Sequence, residues 1–335
     1  MHKILVVSPS WVGDAMLTQP MLARLNQRHP GCQIDMFAPS WTESLFRQMP
    51  EVHNVIINPF QHGELRLGAR MKIGKQLGLE KYDQVIVLPN SFKSALVPFF
   101  SRIPIRTGFI GEMRYAPVLT DARKLDKKEL PLMVERFAQL AEPPNFPLDR
   151  PVPQPRLQVS EEQRQRVLQR LNLDLSKPVA VFCPGAEYGS AKRWPIPYYA
   201  ELAQRLSDSG FTVWLVGSPK DKEIADKIVA LGNQDSRNVC GGTDLADAIA
   251  LLSCADLVIS NDSGLMHFAA ALDRPMLALF GSSSPDFTPP LSPKAEVLKL
   301  DLKCSPCFKR ECPLGHFNCM MQLTPDLVWQ KIERM

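Results

Sequence analysis

No apolar run in this 335-residue chain approaches the about 20 residues needed to cross a bilayer. Met1-His2-Lys3 leads directly into a short apolar run at 4–7, too brief for a signal-peptide core and without a cleavage site after it. These absences predict a cytoplasmic protein. The chain also has no basic run interleaved with aromatics, and its 39 Lys and Arg against 35 Asp and Glu leave a net charge of only +4. No nucleic-acid partner is expected on that balance, while an anionic small molecule or an anionic membrane surface fits a mildly positive chain. The turn after the first apolar run, Ser8 to Asp14, lacks Gly-x-Gly-x-x-Gly, which argues against an NAD or FAD enzyme. A Walker A loop and any Asp-x-Asp pair are missing too.

What is present is a doubled alternation. Apolar runs at 4–7, 34–38, 54–57 and 84–88 alternate with helix-period segments, the clearest at 15–27. A further strand at 106–109 and a helix at 130–141 complete the βαβα pattern of a parallel sheet covered on both faces. Six prolines, Pro143, Pro144, Pro147, Pro151, Pro153 and Pro155, then fall within thirteen residues and predict a stiff, extended connector. Ser160 and Gln163 form a capping box for a helix over 160–171. Strands at 179–183, 212–216, 257–260 and 276–280 follow, with helices at 197–209, 220–231 and 245–253 and a terminal helix at 325–333. The reading is α/β: two Rossmann-like, doubly wound domains, 1–155 and 156–322, with an interdomain cleft where ligands prefer to bind.

Chemistry concentrates at the strand ends. After the apolar run at 257–259, Asp262, Ser263 and Gly264 turn the chain straight into an apolar helix, with His267 one turn in, four residues beyond Ser263. A helix opened this way presents unpaired N–H groups and its positive dipole end, which suits a diphosphate; an ordinary capped helix with a packed histidine is the plainer alternative. The segment after residue 183 carries Gly185, Gly189, Ser190 and Lys192, small residues that can wrap an anion and a cation to meet it. Asp14, at the first strand-to-helix turn, is either a helix cap or a carboxylate placed to take a proton from a hydroxyl. Lys93, Arg106 and Arg114 form a looser basic set that could recognise an acidic partner or simply be solvated. Cys304, Cys307, Cys312 and Cys319 lie within sixteen residues with His316 among them. They read as a tetrahedral zinc site, a reduced packed loop, or a redox pair at Cys304 and Cys307; Cys32, Cys183, Cys240 and Cys254 read as small buried residues.

Ser10-Trp11-Val12-Gly13-Asp14-Ala15-Met16, Cys183-Pro184-Gly185-Ala186 with Ala191-Lys192-Arg193-Trp194-Pro195, Asn261-Asp262-Ser263-Gly264 with His267, and the cysteine-rich tail together resemble the bacterial lipopolysaccharide heptosyltransferases of glycosyltransferase family 9. The resemblance runs over nearly the whole chain. It implies a GT-B fold and an inverting transfer of L-glycero-D-manno-heptose from an ADP-heptose donor to the first heptose of the lipopolysaccharide inner core, on its octulosonate–lipid A unit. It implies Asp14 as general base, and Lys192, Asp262, Ser263, Gly264, His267, Gly185 and Ser190 as donor contacts. Lys93, Arg106 and Arg114 become candidates for the acceptor. The segment 323–335 is expected to cross back to the first domain. No cofactor is needed for the chemistry, with zinc at the cysteines as a structural alternative. The expected protein is a monomer making peripheral contact with the cytoplasmic face of the inner membrane. The rivals are another GT-B enzyme, either a transferase for a different sugar or a nucleotide-sugar epimerase, and a non-catalytic nucleotide-sugar-binding module.

Overall fold

The computed structural model describes residues 2–61, 63–233 and 235–335. The chain divides into two compact units, Met1–Pro155 and Arg156–Met335. In the first, β1 (Lys3–Val7), β2 (Gln33–Ala38), β3 (Asn54–Ile57), β4 (Gln84–Val87), β5 (Ile105–Phe109) and β6 (Asp121–Arg123) form one parallel sheet in the order β3-β2-β1-β4-β5-β6. The central strands are continuous apolar runs because helices cover both faces of such a sheet. Ile4, Leu5, Val6, Val85, Ile86 and Val87 are fully buried.

The second unit repeats the design. Its strands β7 (Val179–Cys183), β8 (Thr212–Leu215), β9 (Arg237–Asn238), β10 (Leu257–Asn261), β11 (Met276–Phe280) and β12 (Ala295–Lys299) are parallel, in the order β12-β11-β10-β7-β8-β9. Read from the other edge this is the order of the first sheet. In each sheet the winding reverses at one place, between β1 and β4 and between β7 and β10. Connections on the two sides of such a point depart to opposite faces, so the loops at the carboxyl ends of those strands splay apart and leave a crevice.

Several elements differ from the sequence expectation for identifiable reasons. The helix expected over 15–27 is two helices, Val12–Met16 and Gln19–Arg28. Pro20 has no N–H to continue a helix and its ring would strike the carbonyl one turn earlier. Thr18 Oγ1 instead donates to the Ala15 carbonyl at 2.7 Å, closing the first helix. The helix after Pro131 is Met133–Gln139, shorter than expected. Strands β6, β9 and β12 carried no apolar run to announce them: they are edge or near-edge strands with half-exposed residues. The Ser160 and Gln163 box is formed, with both reciprocal hydrogen bonds at 3.0–3.2 Å.

Among the described residues no helix is long and apolar enough to cross a membrane. The proline-rich segment has no regular structure. It is held to the first unit by Arg24, which pairs with Glu142 at 2.9 Å and donates to the carbonyls of Asp149 and Pro151. The terminal helix, Pro325–Ile332, packs on the Ile196–Asp208 helix of its own unit, with Val328 fully buried in that unit's core and Asp326 paired with Arg205 at 2.6 Å.

Candidate functional site

The loops that follow β7 and β10 meet at the winding reversal of the second sheet. All five residues of β10 are buried, and the chain turns at Asp262 and Ser263 into the helix Gly264–Ala271. Ser263 holds the cap position in extended backbone, yet its side chain makes no capping hydrogen bond; its Oγ lies 3.4 Å from Ser260 Oγ. The cap residue therefore does not satisfy the first-turn N–H groups, which point, with the positive dipole end, toward the carboxyl edge of the sheet.

Asp262 is buried and faces two donors. Lys192 Nζ, from the loop after β7, stands 2.6 Å from Asp262 Oδ2, and Ser283 Oγ, from the loop after β11, donates to the same oxygen. The ion pair sews together two of the segments that the sequence placed at one site. Asn261 does the same with backbone: its Oδ1 accepts from the Trp194 N–H and the Tyr199 hydroxyl, both at 3.1 Å, and its Nδ2 donates to the Pro184 carbonyl at 2.7 Å. Asn261 is fully buried, so a residue unable to make these bonds would leave several polar groups unmatched.

His267 lies in the first turn of the helix and is buried, with Nδ1 lacking a hydrogen-bond partner. Burial pushes its imidazole down to about 4; the Asp262 carboxylate opposes that shift and the Lys192 ammonium adds to it. His267 is therefore neutral at physiological pH, an uncharged donor and acceptor beside an ion pair. Gly185 has a packing reason of its own: a Cβ there would run into the Asp221 carboxylate. That carboxylate caps the next turn, accepting from Ser218 N at 2.9 Å and Ser218 Oγ at 2.7 Å. Ser190 opens the short turn Ser190–Lys192 that delivers the lysine.

In the first unit, Asp14 lies in the first turn of Val12–Met16, at the carboxyl end of β1 beside the β1/β4 reversal. It is not the cap: that position falls on Trp11, which has no capping oxygen. Asp14 is half-buried, placed where the helix dipole favours a carboxylate. Lys93 follows β4 and donates to the Gly63 carbonyl at 2.7 Å. Arg106 and Arg114 turn their guanidiniums inward. Arg106 spends its guanidinium on the carbonyls of Ile103, Val118 and Pro117 at 2.6–2.9 Å. Arg114 is fully buried and donates to the carbonyls of Pro89 and Phe109 and to Asn90 Oδ1, and burial holds it down at about 10. Both are internal braces: Arg106 ties β5 to the carbonyls of Pro117 and Val118 in the segment before β6, and Arg114 ties that segment to the end of β5 and the turn after β4, where carbonyls without other partners need donors.

Cys304, Cys307, Cys312 and Cys319 do come together, lining one small cavity with His316. All are free thiols. Among the described residues no group of three or more His, Cys, Asp or Glu is arranged to hold a metal ion. Two other contributors escaped the sequence reading. Asn261 was part of a quoted motif without a role of its own. Ser283 sits in a run of three small hydroxyl residues, 282–284, directly after a strand; that position was the available signal.

Two doubly wound α/β units, one with an ion-paired lysine and an open helix start at its winding reversal, define a protein built to receive an anionic, nucleotide-like ligand. The comparisons make the class specific. Residues 70–318 match glycosyltransferase family 9 (heptosyltransferase). The lipopolysaccharide heptosyltransferase 2 of Escherichia coli K12 is 46% identical over 99% of this chain and 98% of its own length. The lipooligosaccharide heptosyltransferase 2 of Haemophilus ducreyi is 42% identical over 99% of both. The solved structure of E. coli ADP-heptose lps heptosyltransferase II superimposes with a TM-score of 0.90 at 44% identity, covering 99% of this chain and 98% of that one. The chain belongs to glycosyltransferase family 9, the heptosyltransferases.

Proposed function

We propose that this protein transfers L-glycero-D-manno-heptose from ADP-heptose to the first heptose of the lipopolysaccharide inner core. The observation that carries the reading is the Lys192, Asp262 and Ser263 arrangement at the β7/β10 reversal of a family 9 chain. The helix start and Lys192 meet the donor diphosphate, and neutral His267 and Ser263 supply hydrogen bonds. These groups of the chain provide the countercharge that the leaving ADP requires, so the proposal asks for no cofactor.

In the step itself, an acceptor hydroxyl attacks the heptose anomeric carbon as the bond from that carbon to the diphosphate oxygen breaks. The electron pair leaves with ADP, the anomeric centre inverts, and Asp14 takes the hydroxyl proton. Because the acceptor is anchored in lipid, the protein would work at the cytoplasmic face of the inner membrane by peripheral contact.

The test is to offer the protein ADP-heptose with and without a truncated lipid A core. Release of ADP and a heavier glycolipid only when the acceptor is present is the expected result. Conversion of the nucleotide sugar without acceptor would replace the reading by an epimerase, and binding without consumption in any mixture would replace it by a binding module.

A further inference from the structure

We propose that the cysteine-bearing loop is an arm of the donor site and that Arg310, carried on it, is a second cation for the donor diphosphate beside Lys192; the proposal rests on the donor reading above. The loop is bonded to the strand-end loops after β7 and β11, which carry Lys192 and Ser283. Arg310 offers its carbonyl to Ala191 N at 3.0 Å, next to Lys192. Phe308 N donates to the Ser282 carbonyl at 2.6 Å, next to the Ser283 that holds Asp262. Tyr188 Oη donates to the Phe308 carbonyl at 2.9 Å, and Ser305 Oγ to the Gly281 carbonyl at 2.6 Å. The approach is close enough that a Cβ on Gly189 would collide with the Arg310 carbonyl, which is why glycine stands there.

The side chains converge as well. Lys192 Nζ lies 5.1 Å and the Arg310 guanidinium carbon 5.3 Å from the centroid of one ring, that of Tyr188. Two cations held within about 5 Å of one ring bring positive charge to its neighbourhood, and the ring's quadrupole offsets part of their mutual repulsion. Charge balance shows why two are useful. Lys192 is already paired with Asp262, which offsets part of the charge it offers an incoming diphosphate. Among the described residues no carboxylate is ion-paired with Arg310, and its exposed guanidinium can fork two phosphate oxygens.

Calorimetric titration with ADP and with AMP tests this, comparing the unaltered protein with Arg310→Ala, Arg310→Lys and Lys192→Ala. Arg310→Ala should weaken ADP about 10-fold, as loss of a charge-assisted contact does, and weaken AMP clearly less; Arg310→Lys should restore part of the difference. The donor KM should rise while the acceptor KM holds. The ADP-to-AMP ratio is taken within one preparation, so partial misfolding cannot mimic it. Unchanged ADP affinity in Arg310→Ala with a loss in Lys192→Ala would overturn the role of Arg310 and leave the donor reading intact. An equal loss of ADP and AMP would overturn the diphosphate role in favour of packing. No loss in either alanine variant would overturn the donor reading itself.

Discussion

The neutrality of His267 gives the sharpest quantitative expectation. Its imidazole is pushed down to about 4 by burial, against an ordinary value of 6.5. At pH 5.5 an ordinary histidine is about 90% protonated, whereas one titrating near 4 is only about 3% protonated. The same difference acts on stability. Above about pH 8 neither the folded nor the unfolded chain binds this proton, so there is no effect. As pH falls through 6.5 the unfolded chain takes up a proton that the folded chain refuses, and stability drops. The loss reaches about 1 kcal/mol by pH 5.5 and levels off near about 3 kcal/mol below pH 4. Histidine NMR is the direct assay. The chain has six histidines, and one resonance should stay in its neutral position from pH 8 to pH 5 and vanish in His267→Gln. Urea unfolding of the same variant should lose about 1 kcal/mol of the destabilisation that the unaltered protein suffers between pH 7.5 and 5.5. A His267 resonance with a midpoint above 6 would refute the burial argument, and with it the picture of an uncharged hydrogen-bonding group beside the Lys192–Asp262 pair.

Asp14→Asn should bind ADP-heptose normally and lose on the order of 10² to 10⁴ in turnover, as removal of a general base does; single-turnover rates near normal would take Asp14 out of that role. Arg114→Met should be destabilised by about 2 kcal/mol or more, because the buried Phe109 carbonyl and two part-buried acceptors, the Pro89 carbonyl and Asn90 Oδ1, lose their donor. Its acceptor KM, measured on the folded fraction, should stay within about twofold, and a large rise would restore Arg114 to acceptor recognition. Backbone N–H groups, Phe317 first at 3.4 Å and then those of Leu314, Gly315 and His316, hold the Cys312 thiol below its ordinary value. Burial raises that of Cys319, further raised by the neighbouring thiols, and pushes Cys240 up to about 12. Iodoacetamide labelling at neutral pH followed by peptide mass spectrometry should therefore mark Cys312 ahead of both, and labelling of Cys319 first would contradict that order.

Much of the frame was legible because buried parallel strands need apolar runs, and the runs at 4–7, 84–88, 179–183 and 257–260 all became strands. The edges were not: Asp121–Arg123 and Arg237–Asn238 are strands through backbone pairing alone, which leaves no mark in side-chain polarity. The same division runs through the site. Asp262, Ser263 and Lys192, singled out in the sequence for their place at strand ends, do come together in the fold. Which cations are available for a ligand could not be read, because that depends on how many carbonyls the fold leaves short of donors. Arg106, in β5, and Arg114, in the segment after it, lie among such carbonyls and are consumed by them. Arg310, passed over in a cysteine-rich stretch that drew attention to its sulfurs, has its backbone pinned and its guanidinium left exposed. A guanidinium that completes a loop cannot also reach out to a substrate without unmaking that loop. The arginine whose main chain is fixed by its neighbours and whose head is free is the one able to act on a ligand.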